Sequence, residues 1–187
     1  MKRIFIGIPI KSPKSVEQVE VWKNDLQLNR NVLNWTIPGN WHITLFFLGN
    51  TEESTIPVLQ QLIDESFSDI HAYQTELCRV GVFPNTHNPK VLWLGLEDLQ
   101  PLMPAYSKLE ELLQQNGFSF DQKPLKPHLT LARVKKADNP SAFQLLLPEY
   151  QQTVFDRIEV SKVALFESIT TPGDPVYKPL FEKQLIR

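Results

Sequence analysis

One four-residue pattern, His-x-Thr-Leu, occurs twice in this chain, as His42-Ile43-Thr44-Leu45 and as His128-Leu129-Thr130-Leu131. Alternation of polar and apolar residues is what a half-buried strand requires. In each copy the histidine and threonine therefore share one face, while the two aliphatic residues point to the other. Two identical polar pairs on two core strands point to one shared site.

The surrounding text gives an order of elements. Ile4 to Ile10 reads as a first strand. Ser12-Pro13 then caps a helix, with Val16, Val19, Trp22 and Leu26 at helical spacing, running to about Arg30. The turn at Pro38-Gly39 delivers the strand Trp41 to Leu48, and Thr51 with Glu52 and Glu53 opens a second helix carrying Leu59, Leu62 and Ile63. Gln74 to Phe83 is a further strand, followed by a polar loop from Pro84 to Lys90. The order then repeats: strand Val91 to Leu96, helix Pro101 to Asn116 stopped by Gly117, strand His128 to Val134, a helix opened by Asn139-Pro140, and a strand from Arg157 to Phe166. Tyr177 to Ile186 adds a last strand. Each half thus reads strand, helix, motif strand, helix, strand, which predicts a two-lobed α+β fold with a pseudo-twofold axis bringing both motif strands to its centre. Residues 1–187 are expected to form one domain.

Composition narrows the function classes. A formal charge of −2 and 42% hydrophobic residues describe a globular chain rather than one that coats nucleic acid by long-range attraction. Cys78 is the only cysteine, so neither an intrachain disulfide nor a cysteine-based zinc site can form, and a reducing compartment is expected. No stretch approaches the ~20 apolar residues of a membrane helix. The expectation is a soluble, cytoplasmic monomer without a membrane partner.

Two imidazoles and two hydroxyls, with no carboxylate in either motif, suit a negatively charged, phosphate-like reacting group. With an ordinary pKa near ~6.5, one histidine can be neutral and accept a proton while the other is charged and donates one. Arg133, five residues after His128, is the expected cation, and Lys123, Lys126, Lys135 and Lys136 make the same region locally basic. Strict alternation puts Arg133 on the face opposite His128, so a bulge, twist or the long side chain itself must bring it round.

His42-Ile43-Thr44-Leu45 and His128-Leu129-Thr130-Leu131-Ala132-Arg133 resemble the paired motifs of the two-histidine (2H) phosphoesterases. The flanking segments Arg3 to Pro9, Val80 to Pro84, Val91 to Leu96 and Leu165 to Ser168 are most similar to the RNA 2′,3′-cyclic phosphodiesterase, or LigT/ThpR-like, branch. The resemblance covers nearly the whole chain. It implies a LigT-like fold of two pseudo-twofold-related antiparallel sheets, with helices outside and a central cleft. It further implies His42 as general acid to the ribose 3′ oxygen, His128 as general base to water, and Thr44 and Thr130 on the phosphoryl oxygens. Arg133 would clamp phosphate, Phe47 would stack on a base, and no cofactor or metal would be needed. The implied substrate is RNA with a 2′,3′-cyclic phosphate end, or a small cyclic nucleotide, and the implied product a 2′-phosphate. Phe47 meets the same alternation problem as Arg133, and Trp41 replaces the usual small aliphatic residue before the first histidine.

Other residues carry less. His71 and His87 lack any such pattern and read as surface or loop positions, the lysines as a solvated rim or an RNA contact. Trp93, Phe118 and Phe120 read as core, Trp41 as a second candidate for base stacking, and Tyr177 as a position able to line the pocket. The rival readings are a non-catalytic module binding a nucleotide or RNA end on the same fold, and 2′,5′ RNA ligation by the reverse reaction.

Overall fold

In the computed structural model, residues 1–25, 27–172 and 174–187 are described. Among these residues, nine strands and four α-helices are arranged in the order β1 (Lys2–Pro9), α1 (Pro13–Lys23), β2 (Val32–Trp35), β3 (His42–Thr51), α2 (Ile56–Ser66), β4 (Tyr73–Phe83), β5 (Val91–Leu96), α3 (Met103–Gln115), β6 (His128–Lys136), α4 (Ser141–Glu149), β7 (Val154–Val160), β8 (Lys162–Ile169) and β9 (Val176–Gln184). The fold is α+β.

All strand pairs are antiparallel, in the spatial order β7-β4-β5-β6-β3-β1-β8-β9, with β2 added along β6. The motif strands β3 and β6 lie at the centre. They pair through Ile43 and Leu129, which are fully buried, so the two half-sheets meet where the aliphatic residues of both motifs enter the core. β7 and β8 occupy distant places in this order, yet only Ser161 separates them. One residue spans at most ~3.6 Å, so the sheet must curl until its flanks meet there. Leu185 N–H donating to Ser161 O at 2.9 Å and Ala72 N–H donating to Ile186 O at 2.7 Å close that seam.

Several elements depart from expectation. The strand expected over Arg157 to Phe166 breaks at Ser161, because β7 pairs with β4 and β8 with β1. The first helix ends at Lys23, with a separate 3₁₀ turn at Leu28–Arg30, and the expected helical position Leu26 lies outside the described residues. Thr51 belongs to β3, and α2 begins at Ile56 with Pro57 in its first turn, where a proline without an N–H costs nothing. β2 has no counterpart among the expected strands. Trp41 is buried, with its indole N–H donating to Thr36 O at 3.2 Å, and so is unavailable to stack on a base.

Gly7 permits the approach of β1 to the first motif. A Cβ there would lie 2.7 Å from the Ile43 carbonyl oxygen, closer than packed atoms come.

Candidate active site

The alternation problem is solved by bulges. Along β3 the partners on β1 pass from Gly7↔Thr44 to Ile6↔Phe46, leaving Leu45 as an extra residue. Along β6 the partners on β5 pass from Trp93↔Thr130 to Leu92↔Ala132, leaving Leu131 as the extra residue. Both bulges fall on the leucine of His-x-Thr-Leu. Each inserts one residue and reverses the face of the residues after it, so positions 45 and 46, and again 131 and 132, are consecutively buried. Phe47 and Arg133 thereby return to the faces of their histidines.

His42, Thr44, His128, Thr130 and Arg133 line one cavity of about 170 Å³, together with Tyr177. Phe47 lies instead in an adjoining groove of about 400 Å³ that shares Thr44 and His128 with the first cavity. The five polar residues expected to share a site do so, and the expected stacking ring stands beside it.

The two histidines are held alike. Nδ1 of His42 lies 2.7 Å from Asn40 O, and Nδ1 of His128 lies 2.6 Å from Lys126 O. A carbonyl can only accept, so each Nδ1 carries the hydrogen and each Nε2 is left for the cavity. Rings pack around both. His42 has Phe5 at 4.6 Å and the edge of Tyr177 at 5.0 Å between centroids. His128 has Phe83 at 5.0 Å and Trp93 at 6.4 Å, the latter lying so close over Gly81 that no side chain fits there.

Burial among these rings lowers both imidazole pKa values, because the charged form loses hydration. The Nδ1–carbonyl bonds work in the opposite direction. The charge of Arg133 lowers both values further, and that of His128 also lowers His42. The cavity therefore favours neutral imidazoles until an anion enters. Burial pushes the Tyr177 phenol up, so it stays a hydroxyl donor.

Some lining residues were missed. Asn34 and Thr36 enter through β2 and the segment after it, a four-residue strand with too little pattern to read. Asp174 also lines the cavity, where its carboxylate accepts from the Asn34 amide at 3.1 Å. Phe83 sits in a segment noted for its resemblance, but only the fold brings its ring to His128. His71 and His87 are exposed and outside the site, and the His87 backbone is held in a turn by Asn85 Oδ1 at 3.0 Å. Among the described residues, no three of His, Cys, Asp and Glu gather as a metal-binding set.

Known proteins share this fold. Residues 4–185 match the family described as AKAP7 2′5′ RNA ligase-like domain. The chain is 30% identical over 184 residues to an RNA 2′,3′-cyclic phosphodiesterase of Thermotoga maritima, covering 97% of this chain and 95% of that protein. It is also 30% identical over 185 residues to one of Bacillus subtilis, with 97% and 95% covered. Among solved structures, TT0787 of Thermus thermophilus superposes with a TM-score of 0.75 at 27% identity, covering 98% of this chain and 97% of that one. Escherichia coli LigT complexed with 3′-AMP superposes with a TM-score of 0.74 at 21% identity, covering 100% and 99%. With its fold and nearly its whole length accounted for, the chain belongs to the LigT-like, 2′5′ RNA ligase-like family of two-histidine phosphoesterases.

Proposed function

We propose that this protein hydrolyses RNA 2′,3′-cyclic phosphodiester ends to 2′-phosphomonoesters by general acid and base catalysis without a metal. The observation that carries the reading is the paired Nδ1–carbonyl hydrogen bonds, which leave two Nε2 atoms for one small cavity that also holds Arg133. His128 Nε2 takes a proton from water as the water oxygen bonds to phosphorus. The bond from phosphorus to the ribose 3′ oxygen breaks on the far side, and His42 Nε2–H delivers its proton to that oxygen. Thr44 and Thr130 hydroxyls and the Arg133 guanidinium meet the charge gathering on the phosphoryl oxygens. Phe47 stacks on the base in the adjoining groove. We further propose that residues 1–187 act as one domain of two pseudo-repeated lobes, as a cytoplasmic monomer.

The names of the relatives support the substrate class. The family description favours 2′,5′ RNA ligation as a second reading, in which an RNA 5′ hydroxyl takes the place of water, its oxygen bonding to phosphorus as the same bond to the ribose 3′ oxygen breaks. The test is to mix the purified protein with a short oligonucleotide ending in a 2′,3′-cyclic phosphate, without and with chelator, and to identify the end by ³¹P NMR. A 2′-phosphate is expected. An unchanged cyclic end would leave a binding module, a 3′-phosphate would reverse the assigned leaving oxygen, and loss of turnover on adding chelator would bring back a metal.

A further inference from the structure

The groove beside the phosphate cavity holds more than one nucleoside needs. Two aromatic rings from different strands line it, Phe47 of β3 and Phe83 of β4. Each has a cation over its face: Arg3 Cζ lies 4.9 Å from the Phe47 centroid and Lys126 Nζ lies 5.9 Å from that of Phe83. Its volume of about 400 Å³ falls within the roughly 300–1,000 Å³ of ordinary ligand sites, whereas the phosphate cavity is smaller than that.

Charge decides what the groove is built for. A mononucleotide cyclic phosphate has one negative charge, and that charge sits with Arg133 in the small cavity. The nucleoside extending into the groove is neutral. Lysines there have nothing to meet in a mononucleotide substrate. Lys123 is already neutralised, with its ammonium 3.0 Å from the Asp121 carboxylate. Lys126 lines the same groove, is exposed, and makes no ion pair among the described residues. The next charge along an RNA strand is the phosphodiester linking the terminal nucleotide to the one before it.

We propose that Lys126, held beside the Phe83 ring that Trp93 stacks against, forms a second subsite for the penultimate nucleotide of RNA, its ammonium meeting that phosphodiester. The enzyme then prefers an oligonucleotide end to a free cyclic nucleotide. The inference rests on the hydrolase reading above and adds to it a residue and a minimum substrate length. A contact to a backbone phosphate carries no base identity, so the subsite reads length rather than sequence.

The test compares kcat/KM for uridylyl-uridine 2′,3′-cyclic phosphate with that for uridine 2′,3′-cyclic phosphate at low salt. The dinucleotide is expected to react about tenfold faster, the scale of one hydrogen bond to a charged group. Raising the salt should depress the dinucleotide more steeply, by about 0.7 in the logarithmic slope for one extra phosphate contact. Lys126→Ala should bring the ratio of the two substrates close to one, and Lys126→Arg should keep it. Both variants retain the backbone carbonyl that accepts from His128, and any disturbance of His128 affects both substrates and cancels in the ratio. Phe83 is a poorer target, because its ring touches His128. Equal turnover of both substrates by the unaltered protein, or an unchanged ratio in Lys126→Ala, would overturn the subsite and leave the hydrolase standing. Failure to turn over either substrate would overturn both.

Discussion

Replacing Arg133 with methionine tests how the site uses its charge, because the side chain acts in two ways whose signs can be worked out. It lines the cavity with both histidines and both threonines and is exposed without an ion pair among the described residues. Its full charge is thus available to a phosphoryl group that becomes more negative as water adds. Two unit charges ~4 Å apart at an effective dielectric near 20 interact by ~4 kcal/mol. Removal of one preorganised donor typically costs about 10²–10³ in rate. Arg133→Met is therefore expected to lower kcat/KM by about 10²–10³, and Arg133→Lys, which keeps the charge but loses the planar fork, by about tenfold.

The second effect falls on the histidines. Burial is the main reason both imidazoles hold protons less tightly than usual, and Arg133 adds to it by repelling their charged forms. Without that charge both pKa values rise. The pH profile of kcat/KM is bell-shaped when one group must be neutral and the other charged, so both limbs should move to higher pH in Arg133→Met and stay in place in Arg133→Lys. The assay is initial-rate hydrolysis of a cyclic-phosphate oligonucleotide from pH 5 to 9. Rates within threefold of the parent, or limbs that move down, would refute the role given to this side chain.

Three further outcomes are expected. A phosphate dianion entering the cavity should draw protons onto imidazoles that burial keeps neutral, so calorimetry of 2′-phosphate binding at pH 7 in buffers of different ionisation enthalpy should record net proton uptake; none would contradict that picture. Ile43→Ala removes a fully buried side chain at the seam joining the half-sheets and should cost about 2–5 kcal/mol in denaturant unfolding, against which a loss below ~1 kcal/mol would count. The Cys78 thiol is buried and pushed up to about 11 by that burial, with its hydrogen bond to Glu97 next in importance, so alkylation by iodoacetamide at pH 8 should run about two orders of magnitude slower than for a free thiol without affecting turnover.

Much of this site could be read from residue order alone, because alternation is a local property. His42 with Thr44 and His128 with Thr130 lie within single strands, and the faces assigned from their period of two are the faces found. Arg133 and Phe47 needed more, since a bulge depends on a neighbouring strand that no window of β3 or β6 contains. The bulges at Leu45 and Leu131 exist because Ile6 and Leu92 find partners one residue further on. Long-range placement was least legible. Nothing around Ser161 announces that the chain leaves one half-sheet and joins the other, and β2, which brings Asn34 to the cavity, is too short to show a period. Trp41 looked like a stacking platform beside His42, but one step of alternation turns it into the core.

The central claim is that His42 and His128 act as an acid and base pair across one phosphorus atom. The most direct measurement is kcat/KM of His42→Ala and of His128→Ala on a 2′,3′-cyclic phosphate oligonucleotide, with circular dichroism confirming an intact fold. Each substitution should cost at least about 10²–10⁴-fold, and the double variant should be little worse than either single one, because the two act as a unit. Full turnover by either folded single variant would contradict the paired mechanism.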